Sequence, residues 1–358
     1  MKTTSDRIVA LVAQSAVLAP WVGDYDAETL RMWLEDELGD AGALDGWITR
    51  GPIKSMAVAL SPVLHIVSGN TPHAAFQSVF RGLLLGGQQR VKLPSTGLPD
   101  FENWLAALPT EISSRIEVRH ELPEEWLNSE AAVIFGGAST IQNFRKHLPA
   151  DVLRIEHGPK LSIAVIFDPS TDAAERLADD VLRFDQRGCL SVQVAYVDAA
   201  LPEIHQFANL LELAMAAHRE KYPRQHSSLS ESGQVRNFRE VMRYRQANGE
   251  AVKLWESPQS TEWTIALDAT STFLPGPLNG TIVLHPLSAD FTSQTLGAEY
   301  KHLSTLAIHP FTDTCIARMN HIAPPRICAL GKAQEPTIFW NHDGMKALNT
   351  LVRWRDLG

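Results

Sequence analysis

The period of apolar and polar positions changes near residue 56. Before it the pattern is helical: Ile8, Leu11, Val12 and Leu18 fit one face of an amphipathic helix, and AETLRMWLEDEL is a second amphipathic segment ended by Gly39. Residues 1 to about 50 are therefore expected to be mostly helical. From residue 56 short β-branched runs take over. MAVAL and VLHIV are parted by Ser-Pro, and the second runs straight into SGNTP. HAAFQSVFRGLLLG returns to helical spacing and ends in Gly-Gly, after which QRVKLPS reads as a strand leaving into a turn. RIEVRHE and AAVIFGG repeat the strand signal with helix-like stretches between them. Strand alternating with helix over roughly 30 residues is the pattern of a parallel α/β sheet.

The second half continues it. LSIAVIFD (161–168) is a strand, and TDAAERLADDVLRFD is a helix with Asp172 near its start. Ser191, Gln193 and Ala195 alternate with Val192, Val194 and Tyr196, which predicts a half-buried strand just after Cys189. PEIHQFANLLELAMAAHREKY reads as a helix, and the Ser-rich HSSLSESGQVR (226–236) as a surface loop or helix cap. Cys315 falls in a helix, FTDTCIARM, and Cys328 in a short strand, RICAL; both are expected to pack as small apolar residues. ALNTLVRW looks like a final helix, which Asp343 would cap.

Composition narrows the classes. A chain of 358 residues, 44% hydrophobic and 20% charged, is long enough for two domains without staples. Three widely spaced cysteines argue against a disulfide framework and suit a reducing cytoplasm. A formal charge of −9 gives no support for a nucleic-acid surface. No membrane span is evident: IVALVAQSAVLAP is interrupted by Gln14 and Ser15 and ends at Pro20. There is no G-x-S-x-G elbow, no P-loop, no H-E-x-x-H and no G-x-G-x-x-G. The 13 histidines are scattered, so no metal site is expected.

What remains is a set of polar residues at the ends of predicted strands. Asn70 follows VLHIV, Lys92 ends QRVK, and Gly136 and Gly137 follow AAVIF and open a helix; Glu156 and Lys160 precede LSIAVIF. Ligands of open α/β sheets bind at the carboxyl ends of strands, so Asn70, Lys92 and Gly136 can share one crevice. Each also has an ordinary reading, as a helix cap, a solvated charge and a turn. Cys189, in FDQRGCLSVQV, reads either as a small core residue or as a reactive thiol.

Taken in order, these stretches resemble the aldehyde dehydrogenase superfamily, and most closely its LuxC-like acyl-CoA reductase branch, from about residue 56 to the C-terminus. Asn70 in GNTP resembles the family's oxyanion donor, and Lys92 in VKLPS its ribose-binding lysine. FGGAST resembles the phosphate-side turn, Glu156 with GPK the Glu-Leu-Gly-Gly-Lys motif, and QRGC the loop of the nucleophile. The spacing from Glu156 to Cys189 agrees, and the closing WNHDG run is the most branch-specific feature.

The resemblance implies an α/β fold of two parallel-sheet, three-layer domains with the active site between them. Residues 1–157 would form the N-terminal helices and dinucleotide-binding domain, with 335–358 packing back on it. Residues 158–334 would carry the nucleophile. It implies reduction of an acyl thioester to an aldehyde through an acyl group on Cys189, with Asn70 and Glu156 as further catalytic residues. Lys92, Ser95, Gly136 and Gly137 would hold the cofactor. NADPH is favoured over NADH because Ser95 and Thr96 stand where NAD-using members carry a glutamate, with Arg90 nearby. The acyl donor would be acyl-CoA or a carrier-bound acyl group, with an acyl-activating partner enzyme and a homo-oligomeric state as further expectations.

Two departures matter. The Glu-Phe-Gly-Pro motif of hydrolytic members is not recognisable near GPLNGTIVLHPLS, and His157 replaces the usual leucine after Glu156. Glu156 activates water in oxidising members; a structural role at the strand entry stands beside that one. An aldehyde dehydrogenase running toward acid or acyl-CoA, and a non-catalytic subunit organising an acyl-activating partner, remain the alternatives.

Overall fold

The computed structural model describes residues 1–224, 227–270 and 272–358. The chain divides into two compact units, residues 1–159 with 336–358, and residues 160–335.

The first unit opens with α1 (Thr4–Val12), α2 (Ser15–Val22) and α3 (Ala27–Leu38). The expected single apolar face is split, because the helix breaks between Val12 and Ser15; Ile8, Leu11 and Leu18 are nonetheless all buried. After β1 (Ile48–Arg50) and β2 (Ile53–Ala59) the alternation begins: β3 (Val63–Ile66), α4 (His73–Leu85), β4 (Gln89–Lys92), α5 (Pro99–Ala107), α6 (Thr110–Ser113), β5 (Ile116–Arg119), β6 (Ala131–Phe135), α7 (Ala138–His147) and β7 (Leu153–His157). The last five strands form one parallel sheet in the order β5-β4-β3-β6-β7. Val63, Val91 and Val133 face a core shared with Phe76, Val79 and Phe80 of α4 and with α1–α3. Leu64, Ile66, Ala132 and Ile134 face the other way, onto Ile141 and Phe144 of α7. Both faces are covered, as a parallel sheet requires.

The second unit contains β8 (Leu161–Ile166), α8 (Thr171–Leu182), β9 (Val192–Val197), α9 (Leu201–Lys221), α10 (Leu229–Ala247), β10 (Val252–Glu256), β11 (Thr264–Asp268), β12 (Thr281–Pro286), β13 (Leu303–His309), α11 (Asp313–Met319) and β14 (Arg326–Ala329). Its sheet runs β10-β11-β12-β9-β8-β13-β14, parallel except for the edge strand β10. The strand after Cys189 therefore corrects its prediction: β9 is central and buried at every position but Gln193, not half-buried. Ser191 precedes the strand, and the small residue Ala195 packs into the core, so the polar half of the alternation is lost. Of the two readings of the Ser-rich stretch the helix cap holds, since Ser228 accepts a hydrogen bond from the Glu231 N–H and caps α10, whose first turns take up the rest; His226 lies outside the described residues.

The largest correction is at the end of the chain. ALNTLVRW is not a helix: a 3-10 turn at Asn349–Leu351 leads into β15 (Val352–Leu357). This strand pairs antiparallel with β2, giving a three-stranded sheet β1-β2-β15 that holds the MAVAL run. Leu348 and Leu351 are buried at helix-like spacing, but the turn that separates them from the strand is fixed by Glu37. The Glu37 carboxylate accepts from Trp33 Nε1 and from the backbone N–H groups of Ala347, Leu348 and Asn349, at 2.5–3.0 Å. Glu37→Ala strands three of these donors in a buried site. We expect it to cost about 2–4 kcal/mol, read as a lower urea midpoint; an unchanged midpoint would show that the turn holds itself.

Candidate active site

In the first unit the polar residues converge on the carboxyl edge of the parallel sheet. Asn70 is exposed two residues before Pro72, the N-cap of α4, and its side chain makes no hydrogen bond among the described residues. The ordinary reading, a helix cap, is thus not the one the fold uses. The turn carrying Asn70 packs closely on the turn after β4: a Cβ on Gly69 would lie 2.8 Å from Thr96 Oγ1 and 3.3 Å from Pro94 Cβ. Only glycine permits that approach, which brings Asn70 and the Lys92–Ser95 turn onto one edge.

Lys92 ends β4, half-buried and without an ion-pair partner among the described residues, and Ser95 is exposed in the turn closed by Gly97 N–H to Pro94 O at 3.0 Å. Gly137 is the N-cap of α7 and uses no side chain to cap it; a Cβ there would meet nothing within 4 Å. α7 therefore starts without a side-chain cap, and an uncapped helix start is able to accept a phosphate. A lysine, an exposed serine and an uncapped helix start at the carboxyl ends of one parallel sheet are donors of the kind a dinucleotide uses.

Two expectations change. Arg90, expected near the cofactor, is engaged within the first unit: it lies inside β4, its guanidinium 3.3 Å from Ser129 Oγ and over the Trp126 ring. The cation beside Lys92 is Arg119, its register partner on β5, which is exposed and donates to the Val118 carbonyl at 2.8 Å. Nothing local in the sequence pairs residues 92 and 119; the parallel register does. Glu156 does not precede a strand but lies within β7. It takes a bidentate bond from Arg145 of α7 (Nε to Oε1 2.8 Å, Nη2 to Oε2 2.5 Å), which holds its carboxyl below the usual range.

His157, the residue after it, is buried and shares a 2.9 Å hydrogen bond with Asp343 Oδ2. Asp343 therefore does not cap a helix; it takes a left-handed conformation (φ 56°) in the turn His342–Gly344. With His342 these residues are three potential metal ligands within 4.8 Å. The two imidazoles are stacked, with centroids 4.0 Å apart and planes 24° apart, so their in-plane lone pairs run alongside each other rather than converge on one ion. The set is a hydrogen-bonded, stacked cluster that ties the C-terminal segment to β7 across 186 residues.

In the second unit Cys189 is exposed on the loop between α8 and β9, whereas Cys328 is buried and its thiol pushed up to about 12. The loop is held in an unusual backbone: Phe184, Asp185 and Gln186 are three consecutive left-handed residues. Gln186 is buried and uses its whole amide, donating to Val192 O and Thr281 O and accepting from the N–H groups of Gly280 and Thr281, all at 2.8–2.9 Å. Arg219 bonds Asp185 at 2.7 Å, and Arg187 bonds Glu231 at 3.1 Å. Such strain persists only where the surroundings over-determine it, and it concentrates at functional loops. The Cys189 carbonyl accepts from Ser162 Oγ at 3.1 Å.

These two units have the aldehyde dehydrogenase fold. An aldehyde dehydrogenase from Brucella melitensis biovar abortus 2308 superposes with a TM-score of 0.70 at 11% identity, over 99% of this chain and 85% of that one. An NAD-dependent benzaldehyde dehydrogenase from Corynebacterium glutamicum gives 0.65 at 14% identity, over 99% and 85%. Residues 18–354 match the acyl-CoA reductase (LuxC) family, and the chain belongs to it. It is thus an oxidoreductase that reduces acyl thioesters to aldehydes. A long-chain acyl-protein thioester reductase of Photobacterium phosphoreum is 24% identical over 345 residues, covering 90% of this chain and 67% of the relative. No helix among the described residues is long and apolar enough to cross a membrane.

Proposed function

We propose that the chain reduces an acyl thioester to an aldehyde with NADPH through an acyl group carried on Cys189. The single observation that carries this reading is the exposed Cys189 on a strained loop, whose backbone three arginine- and glutamine-based anchors over-determine. The thiolate attacks the thioester carbonyl, the donor thiol leaves with the electron pair of its C–S bond, and a new thioester of nearly equal energy forms. Asn70 donates to the tetrahedral oxyanion in this step and again when the acyl-enzyme is reduced. When bound, NADPH supplies the hydride that takes the Cys189 thioester to aldehyde level. Collapse of the hemithioacetal then returns the thiolate and releases the aldehyde.

Lys92 and Ser95 hold the adenosine ribose, and the start of α7 at Gly136–Gly137 holds the pyrophosphate. Arg119, beside Lys92, meets the 2′-phosphate, as an arginine does in NADP sites. Glu156, ionised and clamped by Arg145, serves to anchor α7 to β7 rather than to activate water, which favours release of aldehyde over acid. The acyl donor is CoA-bound or carrier-bound; the relative named for acyl-protein substrates supports the second. A panel of acyl-CoAs of differing length tests the function, reading NADPH absorbance and aldehyde together. Aldehyde formed one for one with NADPH consumed is expected. A flat response across the panel points to the carrier-bound donor, and NADP reduction by aldehydes alone removes the reductase reading.

Cofactor choice has its own test. Arg119→Ala should weaken binding of 2′,5′-ADP by about tenfold, and leave 5′-AMP binding unchanged, by calorimetry. Arg90→Ala should change neither; the reverse pattern would return the phosphate to Arg90.

A further inference from the structure

We propose that Gln334 is a positioning residue for Cys189, acting through Gly188 and Ser191 from a loop that Asp180 anchors. The proposal rests on Cys189 being the acyl acceptor, and all of its parts lie in the second unit.

Gln334 is buried, and its amide reaches both sides of the nucleophile. Nε2 donates to Ser191 Oγ and lies 3.5 Å from the Asp180 carbonyl. Oε1 is set so closely against Gly188 that a Cβ there would come within 3.1 Å of it. Gly188 and Ser191 are themselves joined, Ser191 N–H to Gly188 O at 3.2 Å, so one side chain grips the turn in which Cys189 sits.

The grip is useful only if Gln334 is fixed, and it is. Asp180, fully buried at the end of α8, accepts from the N–H groups of Gly331 (2.7 Å) and Ala333 (2.9 Å). Arg326 takes the carbonyls of the same segment, Nη1 to Ala333 O at 2.6 Å and Nη2 to Lys332 O at 2.7 Å. Donors and acceptors of residues 331–333 are thus both held by side chains, and the next residue is Gln334. Together with Ser162 on the Cys189 carbonyl, the turn is constrained from β8 and from the segment after β14. The placement of these groups is what a nucleophile needs when an error of about 1 Å in the attack geometry costs orders of magnitude in rate.

The test measures the rate at which acyl-CoA acylates Cys189 in the whole chain, by quenched flow and mass spectrometry, with the KM for NADPH alongside. Gln334→Met keeps the volume of the side chain and removes its hydrogen bonds. It is expected to slow acylation about tenfold, with KM for NADPH unchanged. Ser191→Ala should do the same, and the Gln334→Met, Ser191→Ala pair should be no slower than the slower single variant, because both act through one contact. Acylation by Gln334→Met at the wild-type rate, or losses that multiply in the pair, would overturn the proposal. Turnover retained by Cys189→Ala would instead remove the reading on which it rests, whatever Gln334 does.

Discussion

Cys189→Ala is expected to abolish both acyl labelling and NADPH oxidation, with turnover lower by at least about four orders of magnitude. The expectation follows from the mechanism and from the other thiols. Cys328 is buried with its thiol pushed up to about 12, so it neither ionises near neutrality nor meets a substrate. Cys315 sits in α11, partly covered by the core around β13. Cys189, exposed on a loop of left-handed residues, is the cysteine that accepts the acyl chain in the proposed mechanism. Peptide mapping after reaction with acyl-CoA should place the added mass on the peptide containing Cys189. Mass on Cys315, or substantial turnover by the alanine variant, would defeat the assignment.

The second large effect is at Asn70. Its side chain is exposed, outside α4 and without a hydrogen bond among the described residues, so Asn70→Ala should change stability by no more than about 0.5 kcal/mol. Given its proposed role as an oxyanion donor, loss of the side chain should nevertheless lower kcat by about 100- to 1000-fold. A donor that strengthens its bond only as charge develops on oxygen lowers kcat with little change in KM. Asn70→Asp should be worse still, since it puts a carboxylate where an oxyanion forms. A stable Asn70→Ala enzyme of normal kcat would show that other donors hold the oxyanion.

Much of this was legible in the sequence, for definite reasons. VLHIV, QRVK, AAVIF and LSIAVIF became β3, β4, β6 and β8 because buried parallel strands are near-continuous apolar runs closed by Gly, Pro or Ser. Asn70, Lys92 and Gly136 sit where such strands end, so order along the chain was enough to propose their shared edge. What was missed depends on partners far away in sequence. ALNTLVRW carries helical spacing, yet Glu37 fixes its first half as a turn and β2 recruits its second half as a strand, Val352 opposite Ala59. Arg119 became the cation by Lys92 through register alone, and Arg90, nearer in sequence, points into the Trp126 side of the sheet. His157 and Asp343 meet across the whole second unit, and Gln334 reaches Ser191 over 143 residues. Local periodicity encodes which face is buried, not which distant group arrives there.

The chain path has a consequence for synthesis. The second unit is continuous from residue 160 to 335, so every strand of its sheet is available once that stretch has left the ribosome. The first unit is not: β2 waits for β15, and the Glu37 carboxylate waits for residues 347–349. Until then β2 keeps one unpaired edge and α3 a buried carboxylate with three of its donors missing. The inserted unit can therefore mature first and the unit that brackets it must close last, so a chain released after residue 335 would carry every strand of the second unit together with an unfinished first unit.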